Sequence, residues 1–271
     1  MIKRLIFKII FIDKFLSRSL RKFDIGIFII NDKYIVDIPK AGSSTLKNIA
    51  ALKSKRYRLL KKIFNISPMH SCISPVNKIM QKNNEKEILL FIKSPEERLY
   101  SVFKEKVLEN KMIYNYSLTK KLKLFFESKK SLKTSFNRNN TFLDFCNGIV
   151  DLKRVFLEKN FGNNYFDKHL IPQYDHILNL KKSYPNINDF RLIIYPINKL
   201  NEVLENLLEK KNESKFNSTK KSNDNNYYED IKNSNIIESM YRKDKILYKK
   251  LISAQKGFLE VDLGSFIKIF N

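Results

Sequence analysis

Twice in this chain a short aliphatic run breaks into a tight loop and restarts with apolar residues at helical spacing. That repeated change of period limits the fold more than any other feature. Residues 34–39 read YIVDIP, a short buried strand. A turn containing Gly42 follows, and Leu46, Ile49, Ala50 and Tyr57 then recur on one helical face. Residues 87–93, EILLFIK, form a second strand. Pro95 suits the first turn of the next helix, which carries Leu99, Val102, Phe103 and Val107 on one face. Strand, loop and helix repeated in this order predict an α/β fold with a central parallel sheet flanked by helices. In such sheets ligands bind beyond the carboxyl ends of the strands, where these two loops lie.

The rest of the chain extends the same pattern. Residues 190–196, FRLIIYP, supply a third strand, and Asn198 is placed to cap a helix carrying Leu200, Val203, Leu204 and Leu207. Thr141 and Asp144 have capping-box spacing ahead of Phe142, Phe145 and Ile149. A last long helix is expected through Ile237, Met240, Tyr241, Tyr248 and Leu251. Residues 116–139 read as a basic surface insertion and 211–226 as a polar loop. With 271 residues, 43 % of them apolar, the chain can bury a sizeable core and is not disordered. No repeat or Pro/Gly-rich linker divides it, so residues 26–271 are expected to form one domain.

Residues 1–25 stand apart as an amphipathic segment. Lys8 and Asp13 interrupt the apolar run, so it cannot span a bilayer, and no small-residue cleavage site follows. Residues 1–22 either pack on the domain or lie on a membrane surface. The expected location is cytoplasmic, with peripheral membrane contact through that segment as the alternative. Cys72 and Cys146 are too few for a disulfide framework or a zinc site, and free thiols are expected.

The 52 Lys and Arg against 28 Asp and Glu give a net charge of +24. Such a field draws in nucleic acid, anionic lipid, acidic glycans or anionic nucleotides. The richness in Lys, Asn, Ile and Phe together also follows from A/T-rich coding, so the charge alone decides nothing. The basic residues are spread along the chain rather than concentrated in a recognised nucleic-acid module.

The chemistry concentrates in the two loops. In IPKAGSSTLKNI, residues 38–49, a strand end delivers Lys40 and Ala41, and Gly42 lets the backbone approach a ligand. Ser43, Ser44 and Thr45 then offer hydroxyls and N–H groups at a helix N-terminus, an anion site. An N-cap cluster beside a solvated lysine is the plainer alternative. Neither GxxxxGK[ST] nor GxGxxG occurs. The second loop lies in FIKSPEERLYSVFKEK, residues 91–106, with Lys93, Pro95, Arg98 and Ser101.

IPKAGSST resembles the 5′-phosphosulfate-binding loop of sulfotransferases. FIKSPEERLYSVF resembles that family's 3′-phosphate segment, usually hydrophobic-Arg-Asp-Pro-x-x-Arg-hydrophobic-x-Ser. Pro95, Arg98, Leu99, Ser101 and Phe103 fit it, whereas Lys93 stands for Arg and Ser94 for Asp. The charge survives but the two-pronged guanidinium does not. TFLDFCNGI (141–149), DKHLIPQYDHI (167–177), FRLIIYPINKLNEVLENL (190–207) and SMYRKDKILYKKL (239–251) resemble later family segments. The resemblance spans about residues 30–251 and points to the carbohydrate branch, which includes heparan 2-O- and chondroitin sulfotransferases. Many of those carry a transmembrane stem, so a bacterial-type cytoplasmic version is expected here.

The resemblance implies a P-loop-NTPase-like fold. It implies 3′-phosphoadenosine 5′-phosphosulfate (PAPS) as sulfuryl donor, released as 3′,5′-adenosine bisphosphate (PAP), with no metal. It implies a carbohydrate acceptor, whether polysaccharide, oligosaccharide or glycolipid, and no nucleic-acid partner. Lys40 is the candidate for stabilising the leaving group. His70, in SPMHSCISP, is the candidate base, matching the heparan 2-O branch imperfectly. His169 matches a family histidine of structural or acceptor-side role, and His176 reads as structural or exposed. Lys93 and Ser101 are expected on the 3′-phosphate; Arg98 either lies near it or ties the helix to an acidic neighbour. Lys215, Ser218, Lys220 and Lys221 could close over the nucleotide, or form a solvated charge run. The rival readings are an inactive sulfotransferase-like nucleotide or glycan binder, and a basic nucleic-acid or membrane binder.

Overall fold

The computed structural model describes residues 27–31, 33–53, 87–105, 141–158, 169–183, 190–209 and 227–270. The expected N-terminal segment, the 116–139 insertion and the 211–226 loop lie outside the described residues.

Five strands form one sheet: β1 (Ile27–Ile30), β2 (Lys33–Val36), β3 (Glu87–Ile92), β4 (Arg191–Pro196) and β5 (Leu259–Asp262), neighbours in that order. The three strands read from sequence form its centre. β2 runs parallel to β3, with Tyr34 opposite Ile88, and β3 parallel to β4, with Glu87 opposite Arg191. In β3, Ile88, Leu90 and Ile92 enter one core cluster while Leu89 and Phe91 enter the other. Both faces are buried, which is why the strand reads as a continuous apolar run.

The sheet is mixed, not wholly parallel, because β1 and β5 are antiparallel to their neighbours. β1 reaches β2 through a tight hairpin: Ile30 pairs with Lys33, and Asn31 takes φ +46°, as two-residue hairpin turns demand. β2 is also shorter than YIVDIP suggests. Pro39 has no N–H for a ladder, and it enters a turn instead.

The helices are α1 (Ser43–Lys53), α2 (Pro95–Phe103), α3 (Phe142–Glu158), α4 (Gln173–Ser183), α5 (Leu200–Leu208), α6 (Tyr227–Ser234) and α7 (Arg242–Ile252). α1 and α5 cover one face of the sheet, packing Leu46, Ile49, Ala50, Leu200 and Leu204 against Phe28, Ile35 and Phe91. α4 and α7 cover the other through Tyr174, Ile177, Leu180, Leu247 and Leu251. A third cluster, with no strand residue in it, joins Leu99, Val102 and Phe103 of α2 to Phe142, Phe145 and Ile149 of α3 and Ile231 of α6. The capping box is present: the Thr141 N–H donates to Asp144 Oδ2 at 3.0 Å, and the Asp144 N–H to Thr141 Oγ1 at 3.2 Å.

One helix expectation needs correction and one holds with a change of helix type. Asn198 caps nothing; it lies inside a 3-10 turn, Ile197–Lys199, that starts directly from Pro196, so α5 begins one residue later than a cap at 198 would place it. The last helix does run through Ile237 to Leu251, but it opens on a π-helical turn, Ile237–Tyr241, before α7, and Asn235, with φ +54°, separates it from α6.

Because β2, β3 and β4 are parallel and adjacent, their carboxyl ends share one edge of the sheet. The loops into α1 and α2 and the turn at Ile197 therefore lie side by side. Among the described residues, no helix is long and apolar enough to cross a membrane.

Candidate functional site

The first loop is built on a turn of unusual composition. The Ala41 N–H donates to the Ile38 carbonyl at 3.1 Å, closing a turn with Pro39 second and Lys40 third. Lys40 takes φ +68°, which makes it a type II turn. Glycine or asparagine is usual at that third position. Gly42 follows with φ +81°, and a Cβ there would stand 2.8 Å from Leu200 Cδ2 and 3.1 Å from Ile197 Cδ1. Its conformation strains any side chain, and a Cβ would require the tips of Leu200 and Ile197 to shift.

The Gly42 carbonyl accepts from the Leu46 N–H at 3.0 Å, so Gly42 is the N-cap of α1. Ser43, Ser44 and Thr45 are then its first three residues, the positions where a helix presents N–H groups beyond its own i→i−4 ladder. No acidic residue sits in that first turn, so the positive end of the helix dipole is not cancelled there. Ser43 and Thr45 are buried and Ser44 is exposed. The Lys40 ammonium pairs with the Glu105 carboxylate.

The second loop follows β3. Lys93 Nζ donates to Ser101 Oγ at 3.0 Å and lies 3.8 Å from Glu97 Oε2. The Ser101 hydroxyl in turn donates to the Glu97 carbonyl at 2.8 Å. Burial pushes the Lys93 pKa below the ordinary lysine value, and Glu97 works against that shift. The backbone of Lys93 is clamped both ways: its N–H donates to Gln173 Oε1 at 3.0 Å, and Gln173 Nε2 donates to its carbonyl at 2.8 Å. Ser94 caps α2, its hydroxyl accepting from the Glu97 N–H at 3.2 Å, with Pro95 at the first helical position. Ser and Asp are equally good N-caps, so the Ser94 departure keeps this function.

Beneath the two loops lies a buried polar scaffold. Arg98 is 1 % exposed. Its Nε donates to the Pro39 carbonyl at 3.1 Å and its Nη2 to the Ile171 carbonyl at 2.8 Å. Asp244, on α7, accepts from the Gln173 and Tyr174 N–H groups, each at 2.8 Å, and so caps α4 from another helix. Burial pushes the Asp244 pKa up, while the Arg98 charge and the two amides hold it down. Tyr241 Oη donates to the Leu170 carbonyl at 2.6 Å.

Residues 28–250 match a family model described as the sulfotransferase family. The chain belongs to the sulfotransferase family. Comparison with curated proteins and with solved structures found no match. The family match runs from β1 into α7 and takes in both loops and the scaffold.

In this member of the family the residues Lys40 to Thr45 fall on one loop and helix N-terminus, as expected, and Lys93 and Ser101 are in contact. Arg98 hydrogen-bonds backbone carbonyls and belongs to the scaffold. His176 is buried on α4, on the structural side of its expectation, and His169 is half-buried just ahead of α4. Cys146 is a buried free thiol whose pKa burial raises to about 12. His70, Cys72, Lys215, Ser218, Lys220 and Lys221 lie outside the described residues. Sequence reasoning missed Glu105, Gln173 as a clamp and Asp244 as a cap. Glu105 had a readable signal: Lys93, Glu97, Ser101 and Glu105 recur every four residues, one stripe along a helix. Gln173 and Asp244 act across distances that no local pattern reports.

Proposed function

We propose that this sulfotransferase moves a sulfuryl group from PAPS to a hydroxyl of a carbohydrate and releases PAP. The observation that carries the reading is the adjacency of two cationic loops at the ends of neighbouring parallel strands. One joins Lys40 to the first-turn amides of α1. The other joins Lys93 to Ser101. A donor with phosphates at both its 5′ and 3′ positions fits such a pair. The α1 amides and the Ser43 to Thr45 hydroxyls take the 5′-phosphate, in the manner of a P-loop. Lys93 and Ser101 take the 3′-phosphate. The carbohydrate acceptor is supported by the resemblance to the heparan and chondroitin branch, and the +24 charge suits an acidic glycan.

In the transfer, a bond forms between the acceptor oxygen and sulfur as the bond from sulfur to the phosphate oxygen breaks. The acceptor proton leaves to a base, for which His70 is the proposed group. Lys40 stabilises the negative charge that develops on the departing phosphate oxygen. The protein otherwise positions the reactants.

Calorimetry with PAP against ATP tests the donor, and labelled-donor turnover on carbohydrate acceptors tests the reaction. PAP should bind and ATP should not; equal binding of the two, or of neither, refutes the reading. His70→Ala should keep the fold and PAP binding and lose most transfer. A near-wild-type rate removes His70 from the mechanism.

A further inference from the structure

We propose that Arg98 is a positioning residue that sets the turn type at Lys40 and so aims its ammonium. Type I and type II turns share the closing hydrogen bond, here Ala41 N–H to the Ile38 carbonyl. They differ by a flip of the central peptide, which turns its carbonyl to the opposite side. In this turn the central peptide joins Pro39 to Lys40, and its carbonyl is the one that accepts from Arg98 Nε at 3.1 Å. The Arg98 hydrogen bond therefore exists in the type II form and is lost in the flipped form. The flip would also relieve Lys40, whose φ of +68° is unfavourable for any residue with a Cβ.

The arginine is well held for this task. Its other arm donates to the Ile171 carbonyl at 2.8 Å, it is 1 % exposed, and Asp244 lies near enough to feel its charge. A buried carbonyl left without this donor would be strongly disfavoured, so the contact selects one peptide orientation. Arg98 lies on α2, so the second loop's helix fixes the conformation of the first. Strain at Lys40 is thereby held where the reacting group sits.

The significance for catalysis rests on the sulfotransferase reading, but the turn assignment does not, and two readouts separate them. The first is a stability cycle at position 40. With Arg98 present, Lys40→Gly should be favoured over Lys40→Ala in the folding equilibrium by about 5- to 30-fold, since only glycine accepts the left-handed φ freely. With Arg98→Met the turn flips and that advantage should fall below about twofold. Arg98→Lys, which keeps a charge near Asp244, repeats the cycle if the methionine variant does not fold. A glycine advantage that survives Arg98 replacement overturns the proposal, as does its absence in the parent. The second readout is transfer. Arg98→Lys should lower kcat by about tenfold or more with PAP affinity changed little, because the ammonium is mis-aimed rather than removed. The expected cycle in a protein that binds no PAP leaves the turn assignment standing and removes the sulfotransfer chemistry. Normal transfer with no coupling in the cycle does the reverse.

Discussion

Truncating Lys93 to alanine should weaken PAP far more than adenosine 5′-monophosphate, which lacks the 3′-phosphate. Its ammonium lies 3.0 Å from Ser101 Oγ, with the side chain 17 % exposed. The Gln173 clamp holds the backbone, so removing the side chain leaves the loop in place. A hydrogen bond to a charged group contributes about 1.5–3 kcal/mol. Glu97, 3.8 Å from the ammonium, must be given up when a phosphate arrives. A partly exposed ion pair of this kind offsets at most about 1 kcal/mol. With the full offset the expected loss is therefore about 0.5–2 kcal/mol, or roughly 2- to 30-fold in Kd. Calorimetric titration of both ligands into both proteins measures it. An equal loss for the two ligands would refute the assignment of Lys93 to the 3′-phosphate. The same lysine predicts a pH signature. Its pKa is lowered by burial, so PAP affinity should fall as pH rises through that lowered value, below the ordinary lysine range. Folding stability should rise over the same alkaline window, because the unfolded chain holds more protons there. Both slopes should weaken in Lys93→Ala.

Lys40→Ala should lower turnover by much more than it lowers PAP affinity, since its charge matters most as the leaving oxygen becomes negative; equal losses would make it a simple binding group. Glu105→Gln should tighten PAP by up to about fivefold, because it frees Lys40 from a carboxylate that must otherwise be displaced, and the gain should vanish in a Lys40→Ala background. Gly42→Ala should destabilise the fold by about 1–3 kcal/mol, from the left-handed φ and the crowding by Leu200, seen as a lower urea midpoint at unchanged slope; an unchanged midpoint would show that the loop adapts.

The parts legible in the sequence were those whose cause is local. β3 read correctly because burial on both faces leaves an uninterrupted apolar run, and β4 because Leu192 and Ile194 are buried on one face while Ile193 and Tyr195 are half-buried on the other. The Thr141 box and the Pro95 helix start read correctly because caps are decided within four residues. β5 was not legible: LEVD alternates half-buried and exposed residues at the sheet edge, and its pairing with β4 lies far along the chain. The first loop was legible as a strand end, a glycine turn and a helix opened by Ser43, Ser44 and Thr45. The left-handed φ at Lys40 was not, because the donor that selects it comes from Arg98, 59 residues beyond the Pro39 carbonyl it holds.

The Lys93 departure can be weighed against Arg98, since both positions face the question of lysine or arginine. At 93 the requirement is a point charge at a strand end, aimed by a hydroxyl one helical stripe away. Ser101 supplies the second polar contact that a guanidinium fork would otherwise provide, so a lysine can serve there. At 98 the requirement is different. One side chain must reach the Pro39 and Ile171 carbonyls, which belong to separate segments, and it must stay charged inside the protein. A rigid planar group with several donors, nearly impossible to deprotonate, meets that demand, and an ammonium on a flexible stem does not. The chain thus has arginine where two directions must be bridged in the interior, and, on the proposed reading of Lys93 as a 3′-phosphate group, lysine where a ligand-facing charge suffices.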